Sequence, residues 1–89
     1  MKATLTFNGV LPEMADWGDT LTLPKYTIND NGDTSKATVK IYACAPDGIM
    51  TLVKDGKVTL NRKGQYTIYY FVVDENNNPT NYTFYIQVA

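Results

Sequence analysis

Any chemistry in this chain must come from nine carboxylates, eight basic side chains and one cysteine, because the sequence contains no histidine. Catalysis by acid–base or nucleophilic routes needs a reactive group held in a cleft beside a partner that activates it. Here Asp30, Asp33, Asp47, Asp55, Asp74 and Glu75 all fall in segments that read as turns. Asp is expected there, since its side chain bonds to its own backbone. Cys44 has no histidine to activate it and reads as a small strand residue. The chain is therefore expected not to be an enzyme. The segment Asp30-Asn-Gly-Asp33 is the sharper ionic candidate, because it offers hard oxygens on a glycine-bearing loop, as calcium requires. Its spacing is not that of an EF-hand loop, and no glutamate follows at a ligand position. A plain turn is the stronger reading, and no metal or other cofactor is expected.

The elements that would position such groups are bounded by length and composition. At 89 residues and 10.0 kDa the chain makes one domain, with a modest but sufficient core. The net charge of −1 argues against nucleic acid and anionic membranes as partners, since tracking phosphate needs a basic excess. The longest apolar run, Tyr69 to Val73, is too short to span a bilayer. Met1-Lys2 leads into an alternating segment, not the apolar run of a secretory signal. A single cysteine cannot form an intrachain disulfide, so the fold must stand on packing. Seven Tyr, twelve Thr and eight Asn favour strands joined by turns.

Periodicity is two nearly throughout. A first strand is expected from Lys2 to Phe7, with Ala3, Leu5 and Phe7 on one face. Leu11 to Gly18 reads as a loop with room for one helical turn, and Trp17 is expected to plug one end of the core. Strands follow at Thr20–Leu23, stopped by Pro24, and at Tyr26–Asn29. After the turn cluster Asp30–Ser35 comes Ala37–Cys44, with Val39, Ile41 and Ala43 on one face. Pro46-Asp47-Gly48 supplies a turn into Met50–Lys54. Asp55-Gly56 then predicts a hairpin to Lys57–Asn61. Gln65–Val73 is the longest strand, and Asp74–Asn78 turns it into Thr80–Val88, with Tyr82, Phe84, Ile86 and Val88 on one face. Seven or eight strands at roughly 8–12-residue spacing predict an all-β, antiparallel β-sandwich.

Two segments carry a resemblance. Gly18-Asp-Thr-Leu-Thr-Leu-Pro24 with Tyr26-Thr-Ile-Asn-Asp30 resembles the opening strands of bacterial immunoglobulin-like domains. Gly64-Gln-Tyr-Thr-Ile-Tyr-Tyr70, followed by Val73-Asp74 and an Asn-rich turn, resembles the sixth and seventh strands of that family. The Asn76-Asn77-Asn78 turn departs from its more usual Gly-Asn. The resemblance implies an immunoglobulin-like sandwich, found in bacterial surface proteins, in polysaccharide-degrading enzymes and on phage virions. In that fold Tyr66 reads as a tyrosine corner, facing inward with its hydroxyl bonded to backbone a few residues upstream. In a bacterial or phage setting the glycosylation sequon at Asn81-Tyr-Thr83 carries no meaning.

The second face of the long strand is the most informative feature. With Tyr66, Ile68, Tyr70 and Val72 inward, Thr67, Tyr69, Phe71 and Val73 point outward, where a solvated strand should be polar. Partner strands add Tyr42 and Tyr85, so Tyr42, Tyr69, Phe71 and Tyr85 form the candidate interaction surface. Three readings stand: an interface with a protein partner or a second copy, a patch covered by lysine stems or by the Leu11–Trp17 loop, and weak glycan stacking. The expected function is a non-catalytic structural or attachment module. A start at Met1 with no signal, wall anchor or neighbouring repeat points first to a capsid-decoration type of accessory protein on a virion surface, docking through the aromatic face or a strand edge. The alternative is a spacer or adhesin repeat at a bacterial cell surface or in a glycan-processing protein.

Overall fold

The computed structural model describes residues 3–29 and 37–89. Among them the chain is all-β with no helix. Its strands are β1 (Thr4–Phe7), β2 (Met14–Ala15), β3 (Thr20–Thr22), β4 (Tyr26–Asn29), β5 (Thr38–Cys44), β6 (Met50–Leu52), β7 (Lys57–Thr59), β8 (Gly64–Val73) and β9 (Pro79–Val88). Among the described residues no helix is long and apolar enough to cross a membrane. Lys2 and the cluster Asp30–Ser35, with its candidate calcium ligands, lie outside the described residues.

A five-stranded sheet runs β2-β9-β8-β5-β6, and two small sheets pair β1 with β4 and β3 with β7. The architecture is of β-sandwich type. Leu5, Leu21, Leu23, Val58 and Leu60 from the small sheets and their flanks share one buried cluster with Tyr66, Ile68, Tyr70, Val72, Ile86 and Val88 of the large sheet. At one end Phe7 of β1 meets the rings of Tyr70, Tyr82 and Phe84 edge-on at 5.0, 5.3 and 5.3 Å. The Leu5 amide donates to the Tyr82 hydroxyl at 3.0 Å, tying β1 to β9. Strict alternation in β8 drives this arrangement: its even-numbered residues from 66 to 72 are all buried. Each is worth roughly 1.5–3 kcal/mol of transfer free energy.

Three expectations are corrected. First, the described residues hold nine strands where seven or eight were expected, because Met14–Ala15 forms β2 where a loop or helical turn was expected. It pairs in parallel with Gln87–Val88, so the sandwich is not purely antiparallel. Second, Asp55-Gly56 does not close a hairpin. β6 pairs with β5 and β7 with β3, so the turn carries the chain from one layer to the other. Gly56 takes φ 73°, the Asp55 carboxylate accepts from the Lys57 amide, and the Leu23 amide donates to the Gly56 carbonyl at 2.8 Å. Val58 and Leu60 reach the core from the opposite layer, which a hairpin continuing β6 would not allow.

Third, Trp17 does not plug the core; it is 60% exposed. Its amide donates to the Ala89 carbonyl and the Gly18 amide to the Leu60 carbonyl, at 3.1 and 2.7 Å. These bonds hold the backbone at the rim, while Leu21 and Leu60 are buried in the core.

Candidate functional site

The candidate surface is built on the outer face of the five-stranded sheet. Directly opposed residues in a ladder share a face, so register assembles it. Tyr42 stands opposite Tyr69 on one side and Leu52 on the other. Phe71 lies between Lys40 and Asn81, Tyr69 faces Thr83, and Tyr85 faces Thr67. The Tyr69 and Phe71 rings, two residues apart on β8, are stacked at 5.7 Å with planes 5° apart. Tyr42 meets Phe71 edge-on at 5.6 Å. All three are half-buried. Tyr85 shares the face but stands beyond Thr67, 60% exposed. The four residues singled out from sequence thus lie on one face, with three in ring contact and the fourth at its margin.

Register also adds what alternation along single strands missed. Leu52 and Met50 extend the apolar surface past Tyr42 and Cys44, at 41% and 49% exposure. The signal was the apolar, short segment Met50–Leu52, whose facing depends on pairing with β5. The Leu11–Trp17 segment does not lie over the rings. Its strand β2 runs along the β9 edge beside Gln87 and Val88. Cys44 is half-buried on the same face and its thiol contacts the Ala45 carbonyl at 3.6 Å.

Tyr66 is buried at the start of β8, and its hydroxyl donates to Asn61 Oδ1 at 3.1 Å. The bond runs to a side chain five residues upstream, where a backbone acceptor was expected. Asn61 lies two residues past the end of β7, so the contact still pins the crossover into β8.

The described turn carboxylates have structural partners. Asp47 pairs with Arg62 at 3.0 Å and accepts from the Ile49 amide. Asp74, buried at the β8–β9 turn, accepts from the amides of Asn76 and Asn78 and from the Asn78 side-chain amide, at 2.9, 2.8 and 2.9 Å. The Asn78 side chain, then its backbone amide, hold the Asp74 carboxyl below the ordinary 3.8. In the core, burial pushes the Tyr70 phenol up to about 12, with Tyr26 beside it adding to the shift. Among the described residues no group of three His, Cys, Asp or Glu side chains could hold a metal ion.

Comparison with family models, with curated proteins and with solved structures returned no match to this chain.

Proposed function

We propose that this chain is a non-catalytic, immunoglobulin-like attachment module that docks on a protein partner through the outer face of its five-stranded sheet. The observation that carries the reading is the half-exposed cluster of Tyr42, Tyr69 and Phe71, flanked by Leu52, Met50 and Tyr85 on one sheet face. Tyrosine suits such a role, since it brings large contact area with few torsions to immobilise. The immunoglobulin-like assignment is supported by strand order. The early run 20–29 pairs with β1 and β7, while β5, β8 and β9 lie together in the other sheet. The buried Tyr66 tied to Asn61 supports it too.

A virion surface is the first setting, and a spacer or adhesin role at a bacterial cell surface is the second. The test is co-sedimentation of the purified chain with intact virions and with cell envelopes of its source. Saturable retention by one of them is expected, lost in Tyr69→Ser/Phe71→Ser with an unchanged melting temperature. The particle that retains the chain decides the setting. Retention indifferent to the double substitution would overturn the face. Retention displaced by free polysaccharide would replace protein docking by glycan stacking.

A further inference from the structure

An edge strand exposes a row of unpaired backbone groups, and folded proteins blunt such edges with charge, proline, bulges or brevity. The large sheet ends at β2 on one side and at β6 on the other. β6 is short, but the segment from Gly48 to Val53 contains no charged side chain and no proline. Ile49, Met50 and Leu52 within it are all exposed. The Ala45 amide donates to the Ile49 carbonyl at 3.0 Å, and the Val53 amide to the Ile41 carbonyl at 2.8 Å. Ladder bonds alternate along a strand, so Ile49, Thr51 and Val53 direct their backbone groups towards β5. Met50 and Leu52 therefore direct theirs away from it. These two amides and two carbonyls have no hydrogen-bond partner among the described residues, and no described strand lies beyond them.

We propose that the β6 edge pairs antiparallel with the β6 edge of a second copy, centred on Thr51. Thr51 faces Thr51 of the second copy, and Met50 faces Leu52 on either side of it. Each Met50–Leu52 pair exchanges two bonds, so four bonds form and all the free groups of both edges are used. Other registers use fewer. A shift of two residues one way sets Leu52 against Gly48, whose amide is already bonded to the Ala45 carbonyl at 2.9 Å. The opposite shift sets Met50 against Lys54, past the last residue bonded to β5. There the chain crosses to the other layer, where Gly56 accepts from Leu23. This self-complementarity selects a second copy over an unrelated strand. The side chains agree with it. Leu52 stands opposite Tyr42 and Met50 opposite Cys44, so both lie on the outer face, because opposed residues share a face. Met50 of each copy then meets Leu52 of the other and covers apolar surface that pairing with β5 leaves exposed. The two large sheets continue into one of ten strands, with both aromatic faces on the same side. The proposal concerns the edge and does not rest on the aromatic face as a docking site. About five residues a side is well below the roughly 20–30 of a stable interface. The pairing is therefore weak in dilute solution and favoured where copies are concentrated on a surface.

The test is sedimentation velocity of the purified chain from about 10 μM to 1 mM, the range of weak dissociation constants, with disulfide trapping in a Cys44→Ala background. The wild type is expected to shift towards dimer with concentration. Met50→Pro removes an amide that no other described residue uses, and Met50→Lys/Leu52→Lys sets like charges opposite one another. Both variants are expected to stay monomeric with native circular dichroism. Thr51→Cys is expected to cross-link on mild oxidation, because facing Cα atoms lie about 4.5 Å apart in a pair of this kind, within reach of a disulfide. Ile49→Cys is not, since its copies would be roughly 14 Å apart. A wild type that stays monomeric at the highest concentration would overturn the proposal, as would cross-linking of Ile49→Cys as fast as Thr51→Cys. Dissociation by Tyr69→Ser/Phe71→Ser and not by Met50→Pro would move self-association to the aromatic face and overturn the edge.

Discussion

Tyr70→Phe tests the packing of the core and its electrostatics in one substitution. Tyr70 sits at the middle of β8 with no exposure. Its ring is held edge-on by Phe7, Phe84 and Tyr26 at 5.0, 5.8 and 6.1 Å. Its hydroxyl is buried without a hydrogen-bond partner among the described residues. In the unfolded chain that hydroxyl is hydrated, so burying it unpaired costs about 1–3 kcal/mol. Phenylalanine keeps the ring contacts and removes the cost. The variant is expected to be more stable by about 1 kcal/mol at pH 7, a rise of about 5 °C in melting temperature for a domain of this size.

The second arm is pH. The folded protein holds the Tyr70 proton up to about 12, against an ordinary 10.0. A raised pKa means the folded state binds the proton more tightly. Its contribution is complete below pH 10 and is lost as the pH climbs towards 12. A shift of that size sets the loss on the order of 2–3 kcal/mol. The advantage of Tyr70→Phe should therefore widen between pH 10 and 12. Urea denaturation followed by far-ultraviolet circular dichroism measures both arms; Trp17 is too exposed to serve as the probe. A variant less stable than wild type by 1 kcal/mol or more at pH 7 would show that the hydroxyl is bonded, and would refute the reasoning. A gap that stays constant up to pH 12 would refute the burial account of the shift.

Gly64 takes φ 126°, and a Cβ there would sit 2.9 Å from Pro46 Cβ; Gly64→Ala should cost about 2–4 kcal/mol, partly recovered in Gly64→Ala/Pro46→Ala, as chemical denaturation would measure. The Asp74 carboxyl is held below its ordinary value, so its contribution is present above pH 3.8 and is lost as the pH falls through the folded value. Asp74→Asn should lower the melting temperature at pH 7 and flatten its decline in acid, read in a thermal series from pH 7 to 2. Trp17→Ala should cost less than about 1 kcal/mol, where truncating a buried core tryptophan costs about 3–5. A cost in the latter range by urea denaturation would return Trp17 to the core.

Much of this architecture was legible because the strands are amphipathic on a period of two. Tyr66, Ile68, Tyr70 and Val72 are inward in the sequence pattern and in the fold, and the same alternation put Tyr69 and Phe71 outside. What failed were features decided by distant chain. Asp55-Gly56 has the local chemistry of a hairpin, yet the need of Val58 and Leu60 to reach the core from the other layer overrode it. Met14–Ala15 is too short to show a period, and it becomes a strand only because the β9 edge offers it partners. Trp17 has the bulk of a core residue, but its own hydrogen bond to Ala89 and that of Gly18 to Leu60 fix the backbone at the rim. For the surface, alternation supplied Tyr42, Tyr69, Phe71 and Tyr85. Leu52 and Met50 required the β5–β6 register, which no single strand encodes.

The parallel contact between β2 and β9 also bears on how the chain carries force. Three backbone bonds join Glu13, Ala15 and Trp17 to Gln87 and Ala89, at 2.8–3.1 Å. The two strands run in the same direction, one near the start of the described chain and one at its end. Tension applied between residues 3 and 89 pulls them along their axes in opposite senses. All three bonds are then loaded together in shear, and none can open before its neighbours as in a zipper. The β2–β9 seam would act as a small mechanical clasp, resisting a lengthwise pull more strongly than its two-residue strand suggests.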